Sequence, residues 1–413
     1  MAIIVQKFGG TSVGTPERIE AVADRIVRTR EAGNDVLAVV SAMGDTTDEL
    51  FEMAHRIAPF PEPRELDMLL TAGERIAMSL LAIAVCDRGC RAASYTGSQA
   101  GIITDAQHGQ ARIVEIRPKR IRESLEGGNV VILAGFQGLS TSYDITTLGR
   151  GGSDTTAVAM AAALGAEVCE IYTDVDGVFT ADPRVVPDAA RIERISFEEM
   201  LELAAAGAKV LHSRSVEYAR RNDVRIHVRS SFNDHDGTWV VKEEDMEVGM
   251  EAALISGVAL EDRDAKITFE EVPDRPGIAA TLFRAVAGQG VNVDMIVQNV
   301  SHEGKTDLSF TVPREDVSKI QAALDGIAHE VGAMRFSVDD DIAKISLVGA
   351  GMKNHPGVAA DMFEALAAEG INIEMISTSP IRVSCVVRAK DGERATRAIH
   401  AKFELEGGAH RLT

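Results

Sequence analysis

The sequence is poor in aromatic residues, in cysteine and in positive charge. Phe, Trp and Tyr make up 4% of its 413 residues, and there are four cysteines. Lysine and arginine number 43 against 63 aspartates and glutamates, which leaves a formal net charge of −20. So large an excess of negative charge disfavours binding to nucleic acid or to an anionic membrane. Any phosphate-binding site must therefore be a local cationic pocket in an acidic surface.

The cysteines form neither a zinc-binding pattern nor a disulfide framework. Cys86 and Cys90 are one helical turn apart in an apolar stretch, which predicts small buried thiols. Apolar runs such as residues 78–86 are shorter than the roughly 20 residues of a membrane-spanning helix. The first residues also lack the regions of a secretory signal. We expect a soluble chain in a reducing, cytoplasmic setting, with neither membrane nor nucleic acid as partner.

A P-loop, G-x-x-x-x-G-K-[ST], is also missing from the chain. Gly304-Lys305-Thr306 matches its last three positions, but Asn299 stands where the first glycine belongs. The length nevertheless leaves room for two or three domains with proper cores. A nucleotide site, if present, must be of another kind.

The first residues suggest such a site. An apolar run over residues 2–5 predicts a buried strand, and Lys7, Gly9-Gly10, Thr11 and Ser12 follow it. Glycine lets backbone N–H groups approach a phosphate closely, and a nearby lysine supplies a point charge. Taken alone, a Gly-Gly pair after a strand is more often a plain turn. The interpretation therefore needs support from the rest of the chain.

That support comes from an alternation of strand and helix patterns up to about residue 230. Strands are predicted at 36–40, 130–134 and 168–172, and a helix over 16–32. Each strand is followed by a loop rich in Gly, Ser, Thr and Asp. Because ligands of open α/β sheets bind outside the carboxyl ends of the strands, we expect these loops to converge.

Two further segments contain candidate ligand-binding residues. Gly149–Asp154 leads into a helix that Ser153 or Asp154 could cap and Gly165 could end. A glycine-rich loop before a helix favours anion binding, although a capped helix with a flexible entry has the same pattern. Glu74 opens another helix, where it is either an exposed carboxylate favoured by the helix dipole or an acceptor for a substrate ammonium group.

Six motifs in one order resemble those of the aspartate kinases, within the amino acid kinase family. They are KFGGTSVG at 7–14, SAMGDTT at 41–47, TAGE at 71–74, GRGGSD at 149–154, YTDVDGVFTADPR at 172–184 and GAKVLH at 207–212. The resemblance implies an α/β kinase domain, a three-layer αβα sandwich, over residues 1–232. It also implies phosphorylation of the β-carboxylate of L-aspartate by ATP, with Mg²⁺ bound mainly through the nucleotide phosphates and no metal ligands from the protein.

The same resemblance assigns roles to individual residues. The implied catalytic residues are Lys7, Asp154 and Lys209. The implied aspartate contacts are Ser41, Thr47, Glu74, Arg150, Gly151, Gly152 and Ser153. The implied ATP contacts are Lys7, Phe8, Gly9, Gly10, Ser12, Thr173, Asp174, Phe179, Arg184, Lys209 and Val210. Phe179 stands where related enzymes often have tyrosine, so stacking could survive there but a hydroxyl hydrogen bond could not.

The last third of the chain contains an internal repeat. PGIAATLFRAVAGQGVNVDMI at 276–296 aligns without gaps with PGVAADMFEALAAEGINIEMI at 356–376. Each copy reads strand, Pro-Gly turn, helix, Gly-x-Asn, strand, which resembles the ACT domain, a ferredoxin-like βαββαβ module. We predict a connector over 233–262 and ACT domains over 263–340 and 341–413. An internal start at Met246 or Met250 would yield a separate, shorter regulatory subunit.

ACT domains bind small amino acids and pair side by side, which implies an oligomer and feedback inhibition by threonine, lysine or both. The implied effector contacts are Asp274, Pro276, Gly277, Ile278, Ala279, Asn292 and Gln298 in the first copy, with Asn372, Ile373 and Met375 in the second. Alternatively, both copies merely dimerise the enzyme. Two other functions stay open: a kinase for glutamate, acetylglutamate or carbamate, and an amino-acid sensor with an inactive kinase domain.

Overall fold

The computed structural model describes residues 1–208, 210–246, 255–299 and 303–408. Lys209 and Met250, both singled out in the sequence, lie outside these residues. The chain divides into two compact units. The first comprises Met1–Val178, Arg191–Ala204 and Lys209–Glu247, and the second comprises Phe179–Ala190, Ala205–Ala208 and Val248–Thr413.

The first unit alternates strands and helices. Its strands are β1 (Ile3–Phe8), β2 (Asp35–Val40), β3 (Ala92–Tyr95), β4 (Ile102–Thr104), β5 (Ile113–Ile116), β6 (Val130–Ala134), β7 (Gln137–Ser140), β8 (Ile145–Thr147), β9 (Val168–Thr173), β10 (Arg194–Ser196), β11 (Ile226–Ser230) and β12 (Thr238–Val241). Its helices are α1 (Pro16–Glu31), α2 (Thr46–Ile57), α3 (Pro63–Leu70), α4 (Ala72–Asp87), α5 (Lys119–Glu126), α6 (Gly152–Leu164), α7 (Phe197–Ala205) and α8 (Ser213–Arg221). The predicted strands and the predicted first helix are confirmed.

The main sheet of this unit has eight strands in the order β10-β12-β11-β9-β1-β2-β6-β3. Strands β11, β9, β1, β2 and β6 run parallel, and Phe8 is in register with both Val40 and Tyr172. A smaller sheet has the order β5-β4-β7-β8. Strands β2 and β6 are covered on both faces, and for this reason they read as nearly continuous apolar runs rather than as an alternating pattern.

Helices lie on both faces of the main sheet. On one face, α1 and α4 bury Ile26 and Leu81 against Val40 and Ile132 in a shared core. On the other face, α6 is buried along almost its whole length, and α5 and α8 lie beside it. The result is the predicted α/β fold, with the sheet as the middle of three layers.

One stretch of the first unit, Pro63–Asp87, is long and apolar enough on average to cross a membrane. It is not a continuous apolar run, because Asp67, Glu74 and Arg75 interrupt it, so the prediction that the uninterrupted apolar runs are short is unaffected. Such a stretch is weak evidence for a membrane, since the core helices of soluble proteins pass the same test. Here the stretch consists of α3 and α4, which carry the buried carboxyl groups of Asp67 and Glu74.

The prediction of buried thiols at Cys86 and Cys90 is wrong. Cys86 is exposed and Cys90 is half-buried, whereas Cys169 and Cys385 are buried. The helical pattern around Cys86 is real, but α4 turns its Ala77, Leu81 and Val85 side to the core. Helical spacing shows which residues share a face, not which face the rest of the chain covers.

The second unit contains the repeat. Its strands are β13 (Gly257–Glu261), β14 (Asp264–Pro273), β15 (Ile296–Gln298), β16 (Lys305–Pro313), β17 (Arg335–Asp339), β18 (Ile342–Val348), β19 (Met375–Ser379) and β20 (Arg382–Arg388). Its helices are α9 (Ile278–Gly288), α10 (Val317–Gln321), α11 (Leu324–Val331), α12 (Val358–Ala368) and α13 (Gly392–Lys402). Gly277 and Gly357 precede α9 and α12 with φ of +99° and +115°, a conformation that explains the glycine of each Pro-Gly turn.

The strands of the second unit form two antiparallel sheets, β15-β16-β14-β17 and β13-β18-β20-β19. The first is a complete βαββαβ module. The second takes its outer strand β13 from residues that precede the first module. The predicted connector, 233–262, thus contributes β12 to the main sheet of the first unit and β13 to the second module. The domain boundaries along the chain stay predictions.

Charged side chains join the two modules. Lys344 on β18 lies 2.8 Å from Asp264 Oδ2 and 2.5 Å from Asp294 Oδ2, with its own side chain 3% exposed. Lys266 on β14 pairs with Glu374 of the second module. Asp294 and Glu374 occupy equivalent positions of the repeat, directly before its Met-Ile pair. Each module therefore supplies a lysine to the carboxylate of the other.

We predict that Lys344→Ala lowers the free energy of unfolding by roughly 3 kcal/mol, because it leaves the Asp264 carboxylate buried without its partner. Lys305→Ala is the matched control, since Lys305 pairs with Glu271 on the surface and its side chain is 54% exposed. The control should change the stability by less than about 1 kcal/mol. Calorimetric unfolding of both variants measures the difference, and equal effects would contradict a structural role for Lys344.

Candidate active site

The carboxyl ends of the parallel strands meet at one edge of the main sheet. β1 ends at Phe8, β2 at Val40, β6 at Ala134, β9 at Thr173 and β11 at Ser230. The loops after the strands touch one another there: the Gly9 N–H donates to Tyr172 O, and the Ser41 N–H donates to Phe8 O. The expected convergence of the loops is therefore confirmed.

Lys7 and Asp154 form an ion pair at this edge. Lys7 Nζ lies 2.7 Å from Asp154 Oδ1, and each side chain is 12% exposed. Lys7 comes from the end of β1, whereas Asp154 stands in the first turn of α6, where the helix dipole favours a carboxylate. The two residues are far apart in sequence but close in the fold, and they place one cation and one anion beside the glycine loop.

The glycine loop wraps closely around the lysine. A Cβ atom on Gly9 would lie 3.5 Å from Lys7 Nζ, and one on Gly10 would lie only 3.0 Å from the carbonyl oxygens of Ala42 and Gly44. The loop after β1 is thus packed on the loop after β2. Residues 10–13 then form one turn of 3-10 helix that buries Ser12. This arrangement places the Lys7 ammonium group beside a glycine backbone at the edge of the sheet.

The N-terminus of α6 forms the other wall. Gly151 precedes the helix with φ of +69°, and a Cβ there would overlap the His212 ring. Capping by Ser153 or Asp154 is wrong: both lie inside the first turn, and no described side chain caps it. Their positions are fixed by packing instead, since a Cβ on Gly135 would meet Ser153 Oγ at 2.7 Å. Gly165 ends the helix as predicted.

Glu74 is buried, 3% exposed, rather than a surface carboxylate. Its Oε1 accepts the Ala42 N–H at 3.2 Å, and its Oε2 has no hydrogen-bond partner within the part of the chain that the structure describes. Burial raises the pKa of Glu74 to about 7. A buried carboxyl oxygen without a donor is an unsatisfied acceptor, to which a cationic or hydrogen-bonding group of a ligand can bind.

Other predicted residues lie around the same edge. Ser41 and Thr47 are half-buried, Thr47 in the first turn of α2. Thr173 ends β9, and its hydroxyl donates to Asp174 Oδ1 at 3.1 Å. Phe8 is different: its ring is fully buried and stacks on Tyr172 with centroids 4.9 Å apart. The Phe8 ring is therefore not accessible to a ligand.

Some predicted ATP contacts fall outside this group. Phe179 and Arg184 belong to the second compact unit, where Arg184 pairs with Asp182 at 2.6 Å. Val210 is half-buried in the turn before α8. Lys209 lies outside the described residues. The site described here is therefore the part built from the first unit alone, and the roles of all these residues stay predictions.

The predicted effector residues divide into exposed and buried groups. Asp274, Pro276, Gly277, Ala279, Asn292, Gln298 and Asn372 are exposed, and Ile373 is half-buried. Ile278 is part of the core of the first module, and Met375 packs with Met295 and Ile342. The exposed residues are accessible to a small ligand, whereas the side chains of Ile278 and Met375 serve the fold.

Two residues of the site received no role from the sequence. Ser231 follows β11, and its Oγ lies 2.6 Å from Ser12 Oγ. The rule that each strand ends in a polar loop could have found it. His212 packs on Gly151 and accepts the Arg214 N–H at 3.4 Å through Nδ1. Burial, opposed by Asp154 and aided by Arg214 and Arg150, lowers the His212 pKa, so this histidine is neutral at pH 7.

The raised pKa of Glu74 predicts a pH-dependent stability. The folded protein holds the proton up to about pH 7, whereas the unfolded chain releases it near pH 4.5. The stabilisation is therefore complete below pH 4.5 and is lost as the pH rises towards 7. Between pH 4.5 and 8, the free energy of unfolding should fall by about 3 kcal/mol more for the wild type than for Glu74→Gln. If chemical unfolding gives the same pH dependence of the free energy of unfolding for both proteins, this prediction is wrong.

The family follows from comparisons with known proteins. Residues 2–230 match the model of the amino acid kinase family, and residues 267–328 and 345–403 each match an ACT domain model. The chain is 55% identical over 410 residues to an aspartokinase of Mycolicibacterium smegmatis, covering 98% of this chain and 97% of that protein. It is 52% identical over 409 residues to an aspartate kinase of Pseudomonas putida, covering 99% of each.

Solved structures of aspartokinases are also similar to this chain. Aspartokinase III of E. coli in complex with aspartate and ADP, in the R-state, superimposes with a TM-score of 0.82 at 27% identity, covering 97% of this chain and 100% of that chain. The same enzyme in complex with lysine and aspartate, in the T-state, gives a TM-score of 0.74 over 97% of this chain and 99% of that chain. The chain pairs Lys7 with Asp154 at the carboxyl edge of its main sheet, and two ACT modules follow that sheet in the sequence. The chain belongs to the aspartokinases of the amino acid kinase family.

Proposed function

We propose that the chain transfers the γ-phosphoryl group of ATP to the β-carboxylate of L-aspartate and so forms 4-phospho-L-aspartate. The observation that carries this proposal is the meeting of Lys7, Asp154 and the Gly9–Ser12 loop at one edge of the sheet. The full-length relatives are aspartokinases, and one related structure holds aspartate and ADP. This reaction would be the first step towards lysine, threonine and methionine, in the cytoplasm.

The residues present fit the phosphates of ATP. Lys7 supplies positive charge, Gly9 has no Cβ that would crowd the Lys7 ammonium group, and Ser12 adds a hydroxyl. Thr173, Asp174, Phe179, Arg184, Lys209 and Val210 complete the proposed nucleotide side. Bound to the phosphates, Mg²⁺ would neutralise part of the charge that develops during the transfer. Asp154 keeps the Lys7 ammonium group in place through their ion pair of 2.7 Å.

The aspartate side needs one acceptor and one donor. Glu74 Oε2, buried and without a partner in the described part of the chain, would accept the substrate ammonium group. Arg150 would bind the α-carboxylate through its planar fork of N–H donors. Ser41, Thr47 and the backbone of Gly151–Ser153 would complete the contacts. With both ends of the amino acid held, its β-carboxylate is directed at the terminal phosphate.

The reaction requires positioning rather than a general base. A side-chain carboxylate is already ionised at neutral pH, so it needs no proton removed before it attacks. The barrier lies in bringing two anions together and in stabilising the charge on the transferring oxygens. Lys7, Lys209 and the backbone amides at the start of α6 address both requirements.

We propose in addition that the ACT modules carry feedback inhibition by threonine, lysine or both. The related E. coli enzyme has been solved with lysine bound, in its T-state. The assembly would be a homo-oligomer, or a complex with a shorter regulatory subunit from a start at Met246 or Met250. The alternative that the modules only dimerise the chain predicts no response to either amino acid.

The first test is Lys7→Ala, which should lower turnover by roughly 10²–10³-fold, as expected for one preorganised electrostatic contact. Lys119→Ala is the control, because the Lys119 side chain is 88% exposed on α5. ADP release with ATP and aspartate measures both variants. Near-normal turnover of Lys7→Ala would remove Lys7 from the mechanism. Greater activity with glutamate than with aspartate would favour the other amino acid kinases.

A second test titrates lysine and threonine, separately and together, into the turnover assay. A coupling of about 1–3 kcal/mol between effector and substrate sites would change the apparent affinity for substrate by about 5–150-fold. If neither amino acid changes aspartate-dependent ADP release, alone or combined, the regulatory proposal is wrong. A mass determination on the same sample separates the homo-oligomer from the two-subunit complex.

A further inference from the structure

Arg150 lies in a short turn, which the Gly152 N–H closes by donating to Gly149 O at 2.9 Å. The loop runs from the end of β8 at Thr147 to the start of α6 at Gly152. It contains two glycines in the left-handed backbone conformation, Gly149 with φ of +77° and Gly151 with φ of +69°. Glycine is the most mobile residue type in the unfolded chain. The turn bond sets the local shape of the loop, whereas the placement of the loop in the site depends on groups that fasten it from outside.

One such group is Asp67 of α3, which is 1% exposed. Its Oδ1 accepts the Thr147 hydroxyl at 2.5 Å and the Gly109 N–H at 3.1 Å. Its Oδ2 lies 2.7 Å from His108 Nδ1. Thr147 begins the Arg150 loop, whereas His108 and Gly109 belong to the loop between β4 and β5. A single buried carboxylate thus joins two loops to a helix.

A second group confirms that these two loops act as one piece. Arg214 of α8 donates from Nη1 to Leu148 O and from Nη2 to Ala111 O, both at 2.8 Å. A Cβ on Gly149 would lie 3.1 Å from Gly109 O, so the two backbones are in direct contact. The Arg150 loop is fastened at Thr147 by Asp67 and at Leu148 by Arg214.

We propose that Asp67 is a positioning residue that fixes Arg150 where it binds the α-carboxylate of the amino-acid substrate. This inference rests on the proposed function, because it takes the role of Arg150 from there. Asp67 offers two acceptor oxygens to three donors. Asparagine has one oxygen, no charge and an NH₂ group that cannot accept, so Asp67→Asn weakens the charge-assisted bonds from Thr147 and Gly109 and keeps the His108 contact only in the ring tautomer that accepts at Nδ1. The rest of the loop remains, but Arg150 is displaced.

The main experiment compares Asp67→Asn, Arg150→Ala and the double variant. Asp67→Asn should raise KM for aspartate by about 10-fold or more, since small displacements of a binding group are costly. It should change KM for ATP by less than about twofold. In the Arg150→Ala background the same substitution should have little further effect on KM for aspartate, because residues that act through one contact are not additive. If Asp67→Asn raises KM for aspartate by the same factor in the Arg150→Ala background as in the wild type, the inference is wrong.

Asp35→Asn is the matched control for a structural effect. Asp35 pairs with Arg30 at 2.5 Å at the start of β2, at the opposite edge of the sheet. It should leave KM for aspartate unchanged. If Asp67→Asn folds poorly, Thr147→Val removes one of the bonds that Asp67 accepts, and it should raise KM for aspartate in the same direction by a smaller factor. No increase in either variant would overturn the inference.

Amide hydrogen exchange separates this inference from the proposed function. Asp67→Asn should increase exchange at residues 148–151 at least 10-fold and leave residues 9–14 unchanged. An unchanged exchange rate at 148–151 would overturn the positioning role even if the enzyme is active. Absence of aspartate-dependent turnover in the wild type would instead overturn the proposed function, and the exchange experiment would still decide whether Asp67 holds the loop.

Discussion

The ion pair between Lys7 and Asp154 joins the two halves of the site. It connects the end of a central strand to the first turn of a helix on one face of the sheet. Both side chains are largely withdrawn from water, so each charge would be costly without the other. The helix dipole adds to the stabilisation of Asp154. The pair thereby keeps a cation beside the glycine loop of an otherwise acidic protein, where an anionic ligand can approach.

Glu74 shows the opposite arrangement, a buried carboxyl group with an oxygen that no described group satisfies. Burial of this kind destabilises the ionised form and raises its pKa. A substrate ammonium group would relieve that penalty on binding. Natural proteins accept such local conflicts at functional sites. Asp67, equally buried but hydrogen-bonded to His108, Gly109 and Thr147, shows what a structural carboxylate in the same unit looks like.

The features that the sequence patterns did not show have a common physical origin. Cys86 was expected inside, but helical spacing does not say which face of α4 is covered. Ser153 and Asp154 were expected as caps, but Gly151 takes the position before the helix and packing on Gly135 fixes Ser153. The segment 233–262 contributes strands to two different sheets, and strand pairing between distant segments leaves no local pattern. Each of these outcomes depends on contacts between parts of the chain that are remote in sequence.

The sequence by itself determined the α/β class of the first part, the strands that end at the site and the duplicated module, because periodicity and glycine placement are local properties. Motif order also predicted which residues meet. Only the tertiary structure decided that Glu74 is buried, with one oxygen that no described group satisfies, and that Ser231 and His212 join the site. The tertiary structure also decided that Asp67 holds the Arg150 loop and that each ACT module supplies a lysine to a carboxylate of the other. Burial and charge pairing are properties of the folded surroundings, so no local pattern could have shown them.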